Sequence, residues 1–165
     1  MIDSLEPFWL ELPHGVRVRV RPLTPFIYEG ALAAVKDTWA PMMNDMLTEL
    51  EAGRWHVLSD PNTASAISLL TFAQTLAASA ITEWEGVGDA AGAAVPASDM
   101  AAKELMLISP MAETFLALYL ATAPEAVARA EQDRHRRARI LWDRIRRDMP
   151  PSFRDLGASA PKPGG

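Results

Sequence analysis

Two short runs in which hydrophobic and polar residues alternate, 8–12 and 16–21, lie on either side of a Pro-His-Gly sequence. Alternation rich in β-branched residues is typical of strands. A three-residue loop with Gly15 in the left-handed conformation predicts an antiparallel hairpin. Its register pairs the apolar residues with one another: Phe8 with Val20, Leu10 with Val18 and Leu12 with Val16. All the apolar residues of the hairpin then share one face.

The opposite face of this hairpin is polar and rich in arginine. Glu11 lies opposite Arg17 in the predicted register, which favours an ion pair. Trp9 lies near Arg19, which favours a cation–π contact. A row of arginines is also compatible with nucleic-acid binding. Because no aromatic platform or lysine cluster accompanies it, a solvated strand face is the favoured interpretation.

Beyond the hairpin, apolar residues recur at three- and four-residue steps, a pattern typical of amphipathic helices. Helices are predicted over residues 25–40, 42–52, 61–85 and 98–108, then from Pro110 onward and over 124–148. The first two meet at Pro41, where a break or kink is predicted because proline lacks the amide that a helix interior needs. A Thr-Ala-Pro-Glu sequence before the last helix predicts a capping box. The third helix has small residues along its apolar stripe and is predicted to be central.

The end of that central helix holds three glycines within seven positions, from Gly86 to Gly92. Glycine adopts positive φ without steric strain, so these residues suit a helix end followed by a tight turn. Trp84 precedes them, and its large ring is predicted to pin the helix end against the loop. Ser98 is a suitable cap for the next helix. The pattern predicts two helices joined by an ordered loop that Trp84, Gly86 and Gly92 support.

The 165 residues have the composition of one globular domain, with 49% hydrophobic and 22% charged residues. The expected fold is mainly α (α+β), with an N-terminal β-hairpin followed by a bundle of about five to six helices. Residues 1–149 are predicted to form this single domain. The small and helix-breaking residues of 150–165 predict a disordered C-terminal tail.

Charge and cysteine content narrow the class of protein. A net charge of −5 and a pI near 5.2 argue against nucleic-acid binding by the chain as a whole. Cysteine is absent, which excludes disulfides and thiolate chemistry and suits a reducing cytoplasm. The first residues lack the basic and apolar runs of a signal peptide, and no apolar run approaches the roughly 18 residues of a membrane span. We therefore expect a cytoplasmic protein.

Few residues offer catalytic or metal-binding chemistry. The histidines are isolated in sequence and have no second ligand at metal spacing: His14, His56 and His135. The glycines from Gly86 onward match a dinucleotide fingerprint in part, but a helix is predicted before them where the fingerprint needs a strand. Glu83 and Glu85 cannot face each other on a helix, so they make a poor acid–base pair. We expect no enzymatic activity, no cofactor and no metal ion.

The last predicted helix differs from the others because its middle, residues 131–137, has no apolar residue. Farther on, an apolar stripe has the spacing i, i+3, i+4, i+7 and i+11: Ala138, Leu141, Trp142, Ile145 and Met149. Three interpretations stay open. The favoured one is packing on its own domain. In the second, Leu141, Trp142 and Ile145 dock into a partner's groove. In the third, the helix's arginines bind phosphates, which the intervening acids disfavour.

Residues 81–96 have the sequence Ile-x-x-Trp-Glu-Gly-Val-Gly-Asp-x-x-Gly-x-x-Val-Pro, and Ser98 and a predicted helix come next. This stretch resembles a segment of the tail assembly chaperones of long-tailed bacteriophages and related prophages. Residues 9–24 are similar to the N-terminal hairpin of such proteins, and residues 111–119 are similar to the helix after the turn. The resemblance covers residues 9–119 and does not include the last helix.

The resemblance implies a role without catalysis. Such chaperones bind the long helical tape measure protein, keep it soluble while tail tube subunits polymerise around it, and then leave the particle. We therefore expect the tape measure protein as a partner in the cytoplasm of a bacterial host cell, with the tail tube protein as a second partner. The alternatives are a structural tail or connector component that stays in the particle and, less favoured, a nucleic-acid-binding module using the last helix.

Overall fold

A computed structural model describes residues 6–52 and 61–148 of the chain. In chain order the elements are β1 (Phe8–Glu11), β2 (Arg17–Val20), α1 (Pro25–Glu51), α2 (Pro61–Ala80), β3 (Ile81–Glu85), α3 (Asp99–Leu105), α4 (Met111–Ala121) and α5 (Pro124–Asp148). Over these residues the protein is mainly helical, with an N-terminal hairpin, which confirms the predicted fold class. The predicted connector around residues 53–60 and the predicted tail over 150–165 lie outside the described residues.

The N-terminal hairpin has the predicted register. Phe8 pairs with Val20 and Leu10 with Val18 in an antiparallel ladder. The loop is a short 3₁₀ turn, in which Gly15 has φ +72° and His14 also has a positive φ of +61°. The valines that face inward are buried: Val16, Val18 and Val20. The apolar face of the hairpin is therefore part of the core, as its alternation indicates.

A third strand replaces the predicted end of the central helix. Helix α2 ends at Ala80, and β3 pairs antiparallel with β2, so that the sheet order is β1-β2-β3. The helix prediction over 61–85 is therefore wrong in its last five residues. Ile81, Thr82 and Trp84 are β-branched or aromatic residues that favour a strand. The free edge of β2 supplies a pairing partner, which overrides the helical spacing.

Helix α1 continues through Pro41, so a break into two helices, one of the two predicted effects of this proline, is wrong. A proline inside a helix leaves the carbonyl four residues earlier, that of Asp37, without its amide partner. Asp37 and Pro41 are both exposed, so water can satisfy that carbonyl. Contacts with α2 hold the helix in place: the Trp39 indole N–H donates to the Ser68 hydroxyl at 2.8 Å.

The core lies around α2, which packs against α1, α3 and α4 and is the central helix, as predicted. Fully buried side chains of α2, α4 and the sheet make up this core. The largest of them are Tyr119, Phe115, Leu76, Met111, Val18 and Val20. The rings of Phe115 and Tyr119 stack with centroids 5.2 Å apart. The Tyr119 hydroxyl donates to the carbonyl of Arg21 at 3.0 Å, which ties α4 to the end of β2. Burial raises the pKa of Tyr119 above its usual value, against a smaller opposing effect of Arg21.

Two helix starts are predicted from capping residues, with different outcomes. The Ser98 hydroxyl accepts a hydrogen bond from the Ala101 amide at 3.2 Å and caps α3, as predicted. The capping box at Thr122 is wrong, because its hydroxyl donates to the carbonyl of Tyr119 at 2.6 Å and closes the end of α4 instead. Helix α5 begins nearby with proline in its first turn.

The chain divides into two compact units, Met1–Ala128 and Arg129–Gly165. The boundary falls inside α5, after its first turn. The described part of the first unit holds the sheet and α1 to α4. The described part of the second unit is the remainder of α5, a continuous helix to Asp148.

Candidate protein-binding helix

Helix α5 is stabilised along its surface by its own charged side chains. Arg134 pairs with Glu131, and Arg136 pairs with Asp133 at 3.2 Å, both at i, i+3 spacing. Such pairs contribute about 0.2–0.5 kcal/mol each to a helix. Arg147 lies in the last turn, where a positive charge interacts favourably with the helix dipole. The sequence thus supports a helix in a stretch that offers no apolar residue for packing.

The second half of α5 exposes a row of large apolar side chains. Leu141 is 56% exposed, Trp142 59% and Ile145 40%. A helix turns by about 100° per residue, so these three side chains project from one side of α5. Packing on its own domain, the favoured interpretation of this stripe, stays a prediction. We call Leu141, Trp142 and Ile145 the apolar stripe; Met149, its predicted last member, lies outside the described residues.

A nearby residue provides a contrast to the apolar stripe. Ile140 is 54% exposed, almost the same as Leu141, which is the next residue in the chain. At about 100° per residue, Ile140 projects from the opposite side of the helix, among polar side chains. A single exposed aliphatic residue is ordinary on a protein surface, whereas a row of three is not.

The arginines of α5 fall into two groups. Some have partners within the helix: besides the ion pairs of Arg134 and Arg136, the Arg147 guanidinium donates to the carbonyl of Asp143 at 3.3 Å. A second group makes no hydrogen bond or ion pair with any described residue: Arg129, Arg139, Arg144 and Arg146. We call the three that lie beside the apolar stripe, Arg139, Arg144 and Arg146, the unpaired arginines.

Charge is distributed unevenly along the sequence. Residues 1–128 contain sixteen acidic and six basic residues, whereas residues 129–148 contain eight arginines and four acids. The net charge of −5 is therefore the sum of −10 from residues 1–128, +4 from residues 129–148 and +1 from residues 149–165. The sign of the total charge therefore holds for residues 1–128 but not for α5.

The glycine-rich loop is ordered by the residues that the sequence singled out, but it comes after a strand and not a helix. The Trp84 indole N–H donates to the carbonyl of Val95 at 2.6 Å, which closes the loop across its base. Gly86 has φ +80°, and a Cβ atom there would lie 2.4 Å from the carbonyl oxygen of Gly15, so the loop abuts the hairpin turn. Gly92 also has φ +80°, with open space around its Cβ position.

Asp89 is a further support of this loop that sequence reasoning missed. Its carboxylate accepts hydrogen bonds from the amides of Ala91 and Ala93, both at 2.9 Å. An aspartate two residues before a small residue in a turn is the signal that could have revealed it. The dinucleotide fingerprint was excluded because a helix was predicted before Gly86. That reason is wrong, because the strand β3 precedes Gly86. The fingerprint also needs a helix that opens within it, and the next helix begins at Asp99.

The strand assignment also corrects the interpretation of the two glutamates. On β3, Glu83 and Glu85 share the exposed face. Glu83 pairs with Arg19 at 3.0 Å and Glu85 with Arg17 at 3.2 Å across the ladder with β2. The predicted pairing of Arg17 with Glu11 is present as well, at 2.7 Å. These contacts make the polar face of the sheet an ion-pair ladder.

The arginine over Trp9 is not the predicted one. Arg17 lies 5.0 Å from the ring centroid of Trp9, whereas Arg19, which is directly opposite in the register, turns to Glu83. A diagonal neighbour on the same face is within reach of an aromatic ring, and the carboxylate is the stronger partner for the opposite arginine. Both arginines have partners, which favours a solvated strand face over nucleic-acid binding here.

An apolar cleft of about 450 Å³ lies among α2, α3 and α4. Leucine, methionine and alanine side chains form most of its wall: Leu69, Leu70, Met106, Leu107 and Ala112. Sequence reasoning missed it, because a cleft depends on how helices from different parts of the chain meet. Among the described residues of its wall, Glu113 is the one ionisable side chain.

The described histidines belong to different elements of the chain. The His14 Nε2–H donates to the carbonyl of Ser109 at 3.2 Å, His135 is exposed on α5, and His56 lies outside the described residues. In the described part of the chain, no three His, Asp or Glu side chains are grouped to hold a metal ion. Searched over 6–52 and 61–148, none of the helices is both long and apolar enough to cross a membrane.

The chain matches no protein-family model, no curated protein and no solved structure.

Proposed function

We propose that this protein binds another protein through α5 and serves as a phage-type tail assembly chaperone for the tape measure protein. The observation that carries the proposal is the exposed apolar stripe of Leu141, Trp142 and Ile145. The resemblance of residues 9–119 to that family supports the choice of partner. Binding takes place in the cytoplasm of a bacterial host, with the tail tube protein as a second partner.

The apolar stripe suits the recognition of helices. A row of aliphatic and aromatic side chains at helical spacing is how one helix docks into a groove formed by others. Tape measure proteins, as the resemblance implies, are long and helical, so they offer such grooves along their length. A stripe of three residues buries little area, which favours a complex that can dissociate once the tail tube has formed around the tape measure protein.

Trp142 is expected to contribute most to this contact. Trp142 is 59% exposed. Docking can therefore bury roughly 150 Å² of the roughly 250 Å² of surface that a tryptophan presents. At about 25 cal/mol per Å², this burial gives at most about 4 kcal/mol. Ordering of the interface reduces that value, and about 2 kcal/mol is typical of an interface tryptophan.

Co-expression with the tape measure protein encoded beside this chain tests the proposal. The wild-type chain should keep the tape measure protein soluble and co-purify with it in moderate salt after nuclease treatment. Trp142→Ala should lose most of the complex while its circular dichroism stays unchanged, because the side chain is exposed. Ile140→Ala is the matched control and should retain the complex. Loss of the complex in both variants, or in neither, would contradict the proposal.

A nucleic-acid-binding role for α5 is a second candidate, favoured by the unpaired arginines Arg139, Arg144 and Arg146. It predicts an affinity for duplex DNA that falls steeply as salt rises, because phosphate contacts release counterions. It also predicts that Trp142→Ala leaves that affinity unchanged. A structural tail component would differ again, since it would be recovered in purified particles, whereas a chaperone would not.

A further inference from the structure

We infer that the segment bound by the apolar stripe is an amphipathic helix whose own apolar row is flanked on both sides by glutamate or aspartate. This inference rests on the proposed function, in which α5 is a docking helix. It specifies the chemistry of the partner, which the apolar stripe alone leaves open. The evidence is the position of the unpaired arginines around that stripe.

The unpaired arginines border the apolar stripe on both sides. Arg139 and Arg146 are seven residues apart, so at about 100° per residue they project along the same flank of α5. Arg144, one residue before Ile145, projects along the other flank. All three are exposed. A helix laid along the apolar stripe therefore meets a guanidinium on each side.

These three charges have no partner within the described chain, in contrast to their neighbours. Arg134 and Arg136 each pair with an acid three residues earlier. Arg139 has another arginine at that position, and Arg146 has Asp143 there but makes no contact with it among the described residues. Charges at the border of an apolar contact select the partner in helix pairs. Acidic side chains are the complement.

A second copy of this chain does not fit the same surface. If two copies of α5 met along their apolar stripes, arginines would border the contact on both helices. Where these arginines meet one another across a helix pair, the like charges are unfavourable. The charge pattern therefore favours a different chain with acidic flanks over self-association.

Nucleic acid fits the arginines but not the side chains between them. Phosphates would pair with the guanidinium groups, but they would also lie against Leu141 and Ile145, which gain nothing from a charged and hydrated surface. An acidic amphipathic helix satisfies both parts, because it offers apolar residues to the apolar stripe and carboxylates to its borders. Carboxylate and guanidinium groups also form paired hydrogen bonds.

Two synthetic helical peptides of about three heptads each provide the test. They share one leucine row, and they differ in having glutamate or lysine along both flanks. Affinity for the full chain is measured by fluorescence anisotropy in moderate salt. The glutamate peptide should bind at least about tenfold more tightly, since three exposed ion pairs together have an effect of that order.

Variants of the full chain identify the residues responsible. Replacing Arg139, Arg144 and Arg146 together with glutamine should bring the two peptides to within about twofold of each other. Arg136→Gln, which removes an arginine that already has a partner, should leave the preference intact. Replacing the three with glutamate should reverse the preference toward the lysine peptide.

The outcomes separate this inference from the proposed function. Equal binding of both peptides by the wild-type chain, together with loss of both in Trp142→Ala, would overturn the acidic flanks and keep the docking helix. Failure of both peptides to bind, with duplex DNA bound equally by wild type and Trp142→Ala, would overturn both. A dimer in sedimentation that Leu141→Ala dissociates would also overturn the inference, because a second copy would then occupy the apolar stripe.

Discussion

Replacing Gly86 with alanine tests whether the loop after β3 lies against the hairpin turn. Gly86 has φ +80°, and a Cβ atom there would lie 2.4 Å from the carbonyl oxygen of Gly15. Gly92 has the same φ, but no atom lies within 4 Å of its Cβ position. Gly92→Ala is therefore a matched control, since it introduces the backbone strain without the clash.

The two variants should differ in stability because both have the backbone strain of a positive φ, whereas only Gly86→Ala also has the clash with Gly15. A positive φ is unfavourable for alanine by about 1–2 kcal/mol, and both variants have that strain. At Gly86 the backbone of Gly15 must also move, and overpacking of this kind costs about 1–3 kcal/mol. We expect Gly86→Ala to lose about 3 kcal/mol of unfolding free energy and Gly92→Ala about 1 kcal/mol. In a domain of this size these losses lower Tm by about 6–12 °C and about 2–4 °C respectively.

Thermal and urea unfolding, monitored by circular dichroism, measure both variants against the wild type. The urea m-value should stay constant, because the surface exposed on unfolding does not change. Equal losses of stability in the two variants would refute the reasoning. That result would mean that Gly86 does not approach Gly15, as expected if residues 81–85 continued helix α2 and did not pair with β2.

Three further substitutions have defined outcomes. Trp84→Phe removes the hydrogen bond to Val95 and leaves that carbonyl unpaired, so unfolding free energy should fall by about 1–2 kcal/mol in urea titrations. Because burial raises the pKa of Tyr119, the phenol of the unfolded chain ionises first, and the unfolding free energy of the wild type should fall as pH rises above about 10. The unfolding free energy of Tyr119→Phe should fall less over that range. Equal pH dependence of the two proteins would contradict this. Leu141→Ala, at an exposed position, should change Tm by no more than a surface substitution does, and a large drop would mean that the apolar stripe is buried.

The hairpin could be predicted in detail because its sequence admits one good register. A shift of one residue would place Leu10 and Leu12 opposite arginines, so alternation and the three-residue loop were sufficient to select the pairing. The predicted partner of Trp9 was wrong for a different reason. The choice between Arg17 and Arg19 depends on Glu83, which comes from a strand that the local pattern did not reveal.

The third strand could not be recognised from local spacing. Ala77, Ala80, Ile81 and Trp84 continue the three- and four-residue steps of α2 without interruption. Over five residues, helical and strand periods are hard to separate, and the deciding factor is the unpaired edge of β2 about sixty residues earlier in the chain. The same strand makes two glutamates members of an ion-pair ladder and not helix neighbours.

The candidate site was predicted as a set of residues but not as a surface. The spacing of Leu141, Trp142 and Ile145 shows that they share one side of a helix, whereas their exposure depends on the rest of the fold. The unpaired arginines required side-chain positions, because the sequence offers acids near several of them. Resemblance to a family did not help here, since it ends before α5.

Binding of the tape measure protein to two adjacent single variants is the most direct test of the docking helix. Leu141 and Ile140 are 56% and 54% exposed, but they project from different sides of α5. Burying the exposed half of a leucine is worth about 1–1.5 kcal/mol, so Leu141→Ala should raise the dissociation constant about tenfold. Ile140→Ala should leave it unchanged. Equal affinities for the two variants would contradict the account, because the apolar stripe would then have no part in binding.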